Sequence, residues 1–446
     1  MSTLVESGHV TKALSEAARK TAELIARRLA DPEVVRLAVA RSEQTARYPF
    51  GWGGASLYSG HGSSALLFRQ AARALPDDAE HWRDLAHEQV VTAVRSTHEE
   101  PLADAGMAAG TAGLALVLAD AASDDPRYEA AARGLDRKLA DQVLTAPSWR
   151  RAGGAGGVAD HDYDVIVGAT GSLTRMADAD SAEPVAAEAV RRLIDDLLWL
   201  CDGTGERRPW FIPPEFFPAE DYHEAYPHGY VNLGLAHGIP GPLAALALAR
   251  RAGHGGEPVR TTIRQVADYL VDAAIADEHG PSWAMGIPLD ASGAEHRHGL
   301  APARVAWCYG TPGVACALLH AADALDDHAL RRFASSALEG VLHRFAGEGH
   351  FSSATLCHGA AGLLAICARF ARDTDSAVAR RTLPVLTEAV LEHCDPDLPL
   401  GVQDLEQPGV LLDSPGLLTG AAGVALALWS VSVSASTRWE RALLIS

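Results

Sequence analysis

Two kinds of stretch alternate along this chain. One is long and amphipathic, with apolar residues at helical spacing on one face and charge on the other; ALSEAARKTAELIARRLA, near the start, is typical. The other is short, opened by glycine, and filled with Ala, Leu and Val all round. The charged stretches fall roughly at 12–29, 81–97, 126–143, 183–200, 257–276, 326–345 and 374–394. Each is followed by one of the glycine-led runs: YSGHGSSALLF, AAGTAGLALVL, IVGATGSL, AHGIPGPLAAL, CYGTPGVACAL, CHGAAGLLAI and LTGAAGVALAL. A helix polar on one side needs solvent there, whereas one apolar all round must be covered on both sides. Seven of each, alternating, predict an all-α fold: an α/α toroid (a seven-fold double α-barrel) with a solvated outer ring around a buried inner ring. The repeat runs the length of the chain, so residues 1–446 are expected to form a single domain.

Six of the seven turns have the form G-x-x-G, with first glycines at Gly110, Gly168, Gly238, Gly310, Gly359 and Gly420. The first copy departs, with Gly60 and Gly62 followed by Ser63 where a second glycine would fall. A turn entering an inner helix needs either a positive φ or a close backbone approach, and glycine permits both. Inner helices that all start at one end would point their positive dipole ends at a common centre, where a thiolate or enolate would be favoured. The rhythm breaks at residues 202–236, an irregular loop rich in Pro and aromatics. Irregular segments of that length are usually functional or disordered. Its Trp210, Phe211, Phe216, Phe217, Tyr222 and Tyr226 could grip an extended peptide or pack on one another.

Composition narrows the picture. Hydrophobic residues make up 48% and aromatics only 6%, which suits closely packed helices better than sheet layers. The formal charge of -19 is interrupted by no basic cluster, so nucleic acid is an unfavourable partner. The N-terminus lacks the apolar core of a secretion signal, and no window is apolar for long enough to span a membrane. Six cysteines scattered at 201, 308, 316, 357, 367 and 394 do not make a secreted disulfide framework; a reducing cytoplasm fits better.

The chemistry collects at equivalent turn positions. The two residues before each first glycine are Tyr58-Ser59, Ala108-Ala109, Ile166-Val167, Ala236-His237, Cys308-Tyr309, Cys357-His358 and Leu418-Thr419. If the toroid closes, these residues face one another across its centre. Cys308, Cys357 and His358 offer two thiolates and an imidazole, which would leave a tetrahedral zinc ion one open position. Such soft donors exclude Mg²⁺ and Ca²⁺. Adjacent ligands diverge by about 100° on a regular helix, so Cys357 and His358 must lie in the turn. Cys316 and Cys367 sit within apolar inner runs and read as core residues, while Cys201 and Cys394 end outer helices. The runs HDYD at 161–164 and HRH at 296–298 read as solvated loop segments.

At these turns the sequence closely resembles the lanthionine synthetase C-like cyclases, through YDVIVGATG, LAHGIPG, RVAWCYG and LCHGAAG in that order. The resemblance covers essentially the whole chain. It implies zinc held by Cys308, Cys357 and His358, an acid/base histidine at His237, and further site residues at Asp164, Arg304 and Tyr309. Some family members carry an inserted domain between the third and fourth repeats, where this chain has only the aromatic loop. The resemblance further implies a dehydrated precursor peptide as substrate, whose cysteine thiols add to dehydroalanine or dehydrobutyrine to give thioether rings. No dehydratase region is recognisable, so a separate enzyme is expected to supply the dehydrated residues. On this reading His237 moves a proton, Asp164 orients it or caps a helix, Arg304 steadies the enolate or forms a structural ion pair, and Tyr309 donates a hydrogen bond or packs. The same residues also suit a zinc hydrolase, addition of a small thiol such as glutathione, or a peptide-binding scaffold without catalysis.

Overall fold

The computed structural model describes residues 10–48, 51–149, 156–179, 183–202, 208–348, 351–433 and 438–446. Its inner helices are His61–Ala74, Thr111–Ala122, Ala169–Met176, Pro240–Arg251, Thr311–Leu325, Ala360–Asp373 and Ala421–Ser432. The outer helices are Lys12–Leu29, Ala79–Ser96, Glu129–Thr145, Pro184–Leu200, Gly256–Asp272, His328–Glu348 and Ala377–Glu392. The burial contrast follows the sequence pattern. Every residue from Ala421 to Trp429 is buried, whereas Glu129–Thr145 buries only Ala132, Leu139, Ala140 and Val143.

The inner helices touch one another in chain order, and the seventh packs against the first, so the ring closes. Each of the first six inner helices forms a hairpin with the outer helix that follows it, because the link between them is short; Leu75–Asp78 joins the first pair. The chain's first outer helix, Lys12–Leu29, therefore finds its partner in the last inner one, Ala421–Ser432. That clasp joins the two ends of the described chain. A further helix, Pro32–Thr45, has no place in the sevenfold pattern, although Asp31 accepts from the N–H groups of Glu33 and Val34 and Pro32 occupies its first turn.

At the end where the inner helices begin, the turns are stitched together through their backbones. Tyr58 N–H donates to Ala108 C=O, Ala108 to Ile166, Ala236 to Cys308, Cys308 to Cys357, and Cys357 to Leu418. Val165 N–H donates to Ala236 C=O and Leu417 N–H to Tyr58 C=O, which completes the circle. The residues two before each first glycine thus form one hydrogen-bonded ring. The glycines follow from this crowding. A Cβ on Gly110, Gly168, Gly359 or Gly420 would collide with backbone of its own turn, although all four have negative φ. Gly310 alone among the first glycines also needs a φ only glycine adopts readily, at 102°. The second glycines receive the neighbouring turn: Met107 packs on Gly171, Leu235 on Gly313, Trp307 on Gly362 and Leu356 on Gly423.

Between helix pairs the chain makes short strands, so the all-α expectation holds for the framework but not for its decorations. Phe211–Ile212, Tyr230–Asn232 and Gly286–Pro288 form a small antiparallel sheet. Ile275–Asp277 pairs with Gly280–Ser282, and Asp404–Gln407 with Val410–Leu412. The segment 202–236, expected to be irregular, holds two of these strands and the short helix Tyr222–Ala225. Residues 203–207 of it lie outside the described chain.

The far end of the ring is stoppered. Residues 439–446 lie across its axis, with Ala442, Leu443, Leu444 and Ile445 fully buried. Tyr58 Oη donates to Ala442 C=O at 2.9 Å and Trp307 Nε1 to Leu443 C=O at 2.7 Å. His320 Nε2 lies 2.9 Å from Leu444 C=O, and Arg441 pairs with Asp178 at 2.7 Å. These contacts reach residues from three different repeats.

Candidate active site

Each candidate residue is carried by a turn of the hydrogen-bonded ring. Asp164 lies four residues before Gly168, at the end of the short helix Asp160–Tyr163. Its Oδ1 accepts from the N–H groups of Ile166 at 3.0 Å, Val167 at 2.8 Å and Gly168 at 2.8 Å, which fixes the turn. Its Oδ2 lies 2.7 Å from Nδ1 of His237, in the next turn of the ring. One oxygen of this carboxylate therefore anchors the turn and the other meets the histidine. Asp164 is buried while the His237 side chain is about one-third exposed, at 34%, so the imidazole reaches the open end with its back held. Burial works against the imidazolium, but the Asp164 hydrogen bond and charge, with Asp160 and Cys308 nearby, outweigh it and raise the His237 pKa.

Cys308 and Cys357 follow one another in the ring, the Cys308 N–H donating to Cys357 C=O at 3.2 Å, and their thiols are close enough to shift one another's ionisation. The Cys357 thiol holds Cys308 down to about 6, helped by Arg304 and His358, while Cys357 is itself pushed up by Cys308 and by burial. The pair gives up its first proton easily and keeps the second. His358 stands in the turn before Ala360, as two vicinal ligands require, with its Nε2 3.3 Å from Asp404 Oδ1. That contact, with the Asp404 charge, raises the His358 pKa.

Tyr309 lies with its ring centroid 6.3 Å from that of His237, and its hydroxyl accepts from Asn232 Nδ2 at 3.3 Å. Burial pushes its pKa up, which keeps it a proton-bearing donor. Tyr222, from the aromatic segment, hydrogen-bonds Tyr309. Elsewhere in that segment Tyr226 stacks on Tyr230 at 4.5 Å and Phe217 lies 5.7 Å from Tyr230, while Trp210 packs 5.0 Å from Tyr269 of the outer helix Gly256–Asp272. Arg304 is exposed at the mouth, and its charge favours the thiolate of Cys308. Cys316 and Cys367 are fully buried core residues, and none of the six cysteines is in a disulfide.

Sequence reasoning missed four neighbours. Asp404 and Asn232 come from strands outside the repeat, and no periodic signal marks them. Asp160, four residues before Asp164, is buried and close enough to act on His237, so this stretch is not a solvated loop. Tyr58 occupies the ring position of Cys308 and Cys357 in the first repeat, and its register could have singled it out.

A closed α/α toroid, with the turns into its inner helices gathered at one end, defines the class of protein. Within that class the chain belongs to the lanthionine synthetase C-like proteins, whose family model matches residues 51–444. The nisin biosynthesis protein NisC of Lactococcus lactis subsp. lactis is 27% identical over 264 residues, 59% of this chain and 61% of that protein. The aligned part thus spans less than two-thirds of the relative. A solved structure of a nisin cyclase superposes with a TM-score of 0.74 over 93% of this chain and 96% of its own, at 23% identity. That likeness is one of fold. No helix among the described residues is long and apolar enough to cross a membrane.

The family implies zinc, and the donor chemistry here fits it: two thiols in adjacent turns and an imidazole next to one of them. Among the described residues, no group of three or more His, Cys, Asp or Glu side chains is placed so that it could hold a metal ion. The two thiols act on each other, and His358 directs Nε2 to Asp404.

Proposed function

We propose that this protein is a zinc-dependent lanthipeptide cyclase acting in the cytoplasm on a precursor peptide that a separate dehydratase has processed. The observation that carries the reading is the juxtaposition, on one hydrogen-bonded ring, of a readily ionised cysteine pair with a carboxylate-backed histidine. Cys308, Cys357 and His358 would hold the zinc, whose contribution when bound is to favour the thiolate form of a substrate cysteine. The substrate sulfur adds to the β-carbon of dehydroalanine or dehydrobutyrine, and the π electrons move to give an enolate. A proton then arrives at the α-carbon, so the ring closes with no change in mass.

His237 would carry that proton. Asp164 holds Nδ1 and leaves Nε2 directed away from its anchor, and the raised pKa keeps a larger protonated fraction near neutrality. Arg304 and the Tyr309 hydroxyl are the groups available to steady the enolate oxygen. Two thiolate ligands favour sulfur chemistry over water activation, which sets this reading above hydrolysis.

The test compares wild type with Cys357→Ala for bound zinc, then for loss of alkylatable thiols in a dehydrated, cysteine-containing peptide, read by mass spectrometry. Wild type should hold about one zinc and protect the thiols, and the variant should do neither. Zinc bound with every thiol left free would sink the cyclase reading, and a wild type without zinc would sink the metal.

A further inference from the structure

Asp404 is a buried carboxylate with an unusual set of partners. Only 5% of it is exposed, yet no Arg or Lys pairs with it among the described residues. Its Oδ1 accepts from Ser353 Oγ at 2.7 Å and Thr355 Oγ1 at 3.3 Å, and lies 3.3 Å from His358 Nε2. Ser353, Thr355 and His358 belong to one turn, the one that also carries Cys357. Asp404 comes from elsewhere, the strand Asp404–Gln407 between the last outer and last inner helices.

A carboxylate taken out of water without a cation loses several kcal/mol of solvation unless nearby groups replace it. Two hydroxyls supply part of that replacement, and the remaining partner is the histidine. A carboxylate facing Nε2 keeps the proton there, so the lone pair is left on Nδ1, and it makes the ring a better donor through that atom.

We propose that Asp404 is the positioning residue of the metal-binding histidine: it fixes the His358 tautomer and plane so that Nδ1 is the nitrogen offered to zinc beside the Cys308–Cys357 pair. This rests on the zinc reading above. The hydroxyls of Ser353 and Thr355 in turn set the carboxylate, so a single oxygen organises the whole sixth turn. Asp404 itself does not touch the metal or the substrate.

The experiment is the dissociation constant for Zn²⁺ alone, by competition with a chromophoric chelator, for wild type and Asp404→Asn, with urea unfolding of both proteins after metal removal. Asn keeps the shape and an acceptor but not the charge. Zinc affinity should fall about 10–100-fold while the metal-free unfolding curve stays with wild type. Unchanged or tighter zinc binding overturns the proposal, tighter binding meaning that Asp404 competes for the ring. Equal loss of zinc affinity and metal-free stability also overturns it, since a merely structural carboxylate would behave so. A second measurement needs no variant at the aspartate: ¹⁵N-histidine NMR of wild type, with His358 assigned by its loss in His358→Gln. Zinc should shift Nδ1 of that ring and leave Nε2 protonated; zinc at Nε2 overturns the proposal. Wild type that binds no zinc defeats the underlying metal assignment instead, and the proposal falls with it.

Discussion

Asp164 divides its two oxygens between fold and chemistry, and the division can be tested by substitution. Asp164→Asn can still accept the three backbone N–H groups through one oxygen, so it should cost only about 1–2 kcal/mol of stability. Its amide would then face Nδ1 of His237 as a donor, forcing the imidazole into the opposite tautomer. Ring-forming activity should fall about 10²–10⁴-fold, and the pH profile of what remains should move to lower pH, because the charge that raised the His237 pKa is gone. The same shift has a stability sign. A raised folded-state pKa means that the His237–Asp164 pair stabilises fully below the ordinary histidine value and loses that part as pH rises through the folded value. Urea unfolding of metal-free wild type and Asp164→Asn should therefore show a gap that narrows as pH rises; a gap that widens would refute the pairing. At this scale the sequence was legible wherever a residue sits in the repeat's own turn. Cys308, Cys357, His358 and His237 occupy the two positions before their turn's first glycine, and Asp164 lies four residues upstream of its glycine. Asp404 was not legible, because a lone aspartate in an irregular connection looks like any solvated turn residue.

Among the elements, the turns carry more specification than the helices. Gly310 enters the fifth inner helix with φ of 102°, and a Cβ there would meet the Arg304 carbonyl. Gly310→Ala should cost about 1–3 kcal/mol in backbone strain and displace Cys308, two residues earlier, from its hydrogen bond to Cys357. Gly134 is the opposite case: it sits exposed in the outer helix Glu129–Thr145, and a Cβ there would meet nothing within 4 Å. Gly134→Ala should stabilise by about 0.5–1 kcal/mol. Denaturant unfolding of both variants, with zinc content alongside, checks the contrast; equal effects would mean that the turn geometry is not specified as described. The glycine-led runs marked where the seven inner helices begin, though several of those run on for five to seven residues more. The amphipathic pattern located the seven outer helices to within about four residues, because burial on one face or both is written directly into composition. It gave no guide to pairing. Charged stretch followed by small-residue run suggests a unit, yet the short links lie on the other side of each inner helix. The helix Pro32–Thr45 was overlooked for a related reason: its start signals are good, but it belongs to no repeat.

For the whole molecule, closure of the ring makes the site a property of distant chain segments. Cys357 bonds the seventh turn, the seventh turn bonds the first, and the first helix clasps the last. Nothing local could have shown this, since the sequence carries periods and not contacts. The stopper at 439–446 was equally hidden in ordinary apolar letters. It supports the site from below, through Ala442 to Tyr58 and through Leu443 to Trp307, the neighbour of Cys308. Removing residues 442–446 strips away two leucines and an isoleucine that are fully buried, each worth about 1.5–3 kcal/mol, and leaves the indole N–H of Trp307 without its acceptor. The truncated protein should lose on the order of 5 kcal/mol or more by denaturant unfolding, and the loss should extend to zinc affinity; intact zinc binding in the truncated chain would show that the support is dispensable.

The same stopper makes the toroid a blind vessel with one mouth. A polypeptide cannot be threaded through it like a cord through a bead, and a segment that enters must withdraw by the way it came. Whatever grows bulkier inside has to pass back over the same lip. If the cyclase reading proposed above holds, a substrate with several reaction points would be served by separate visits, its finished portions waiting outside while the next is presented.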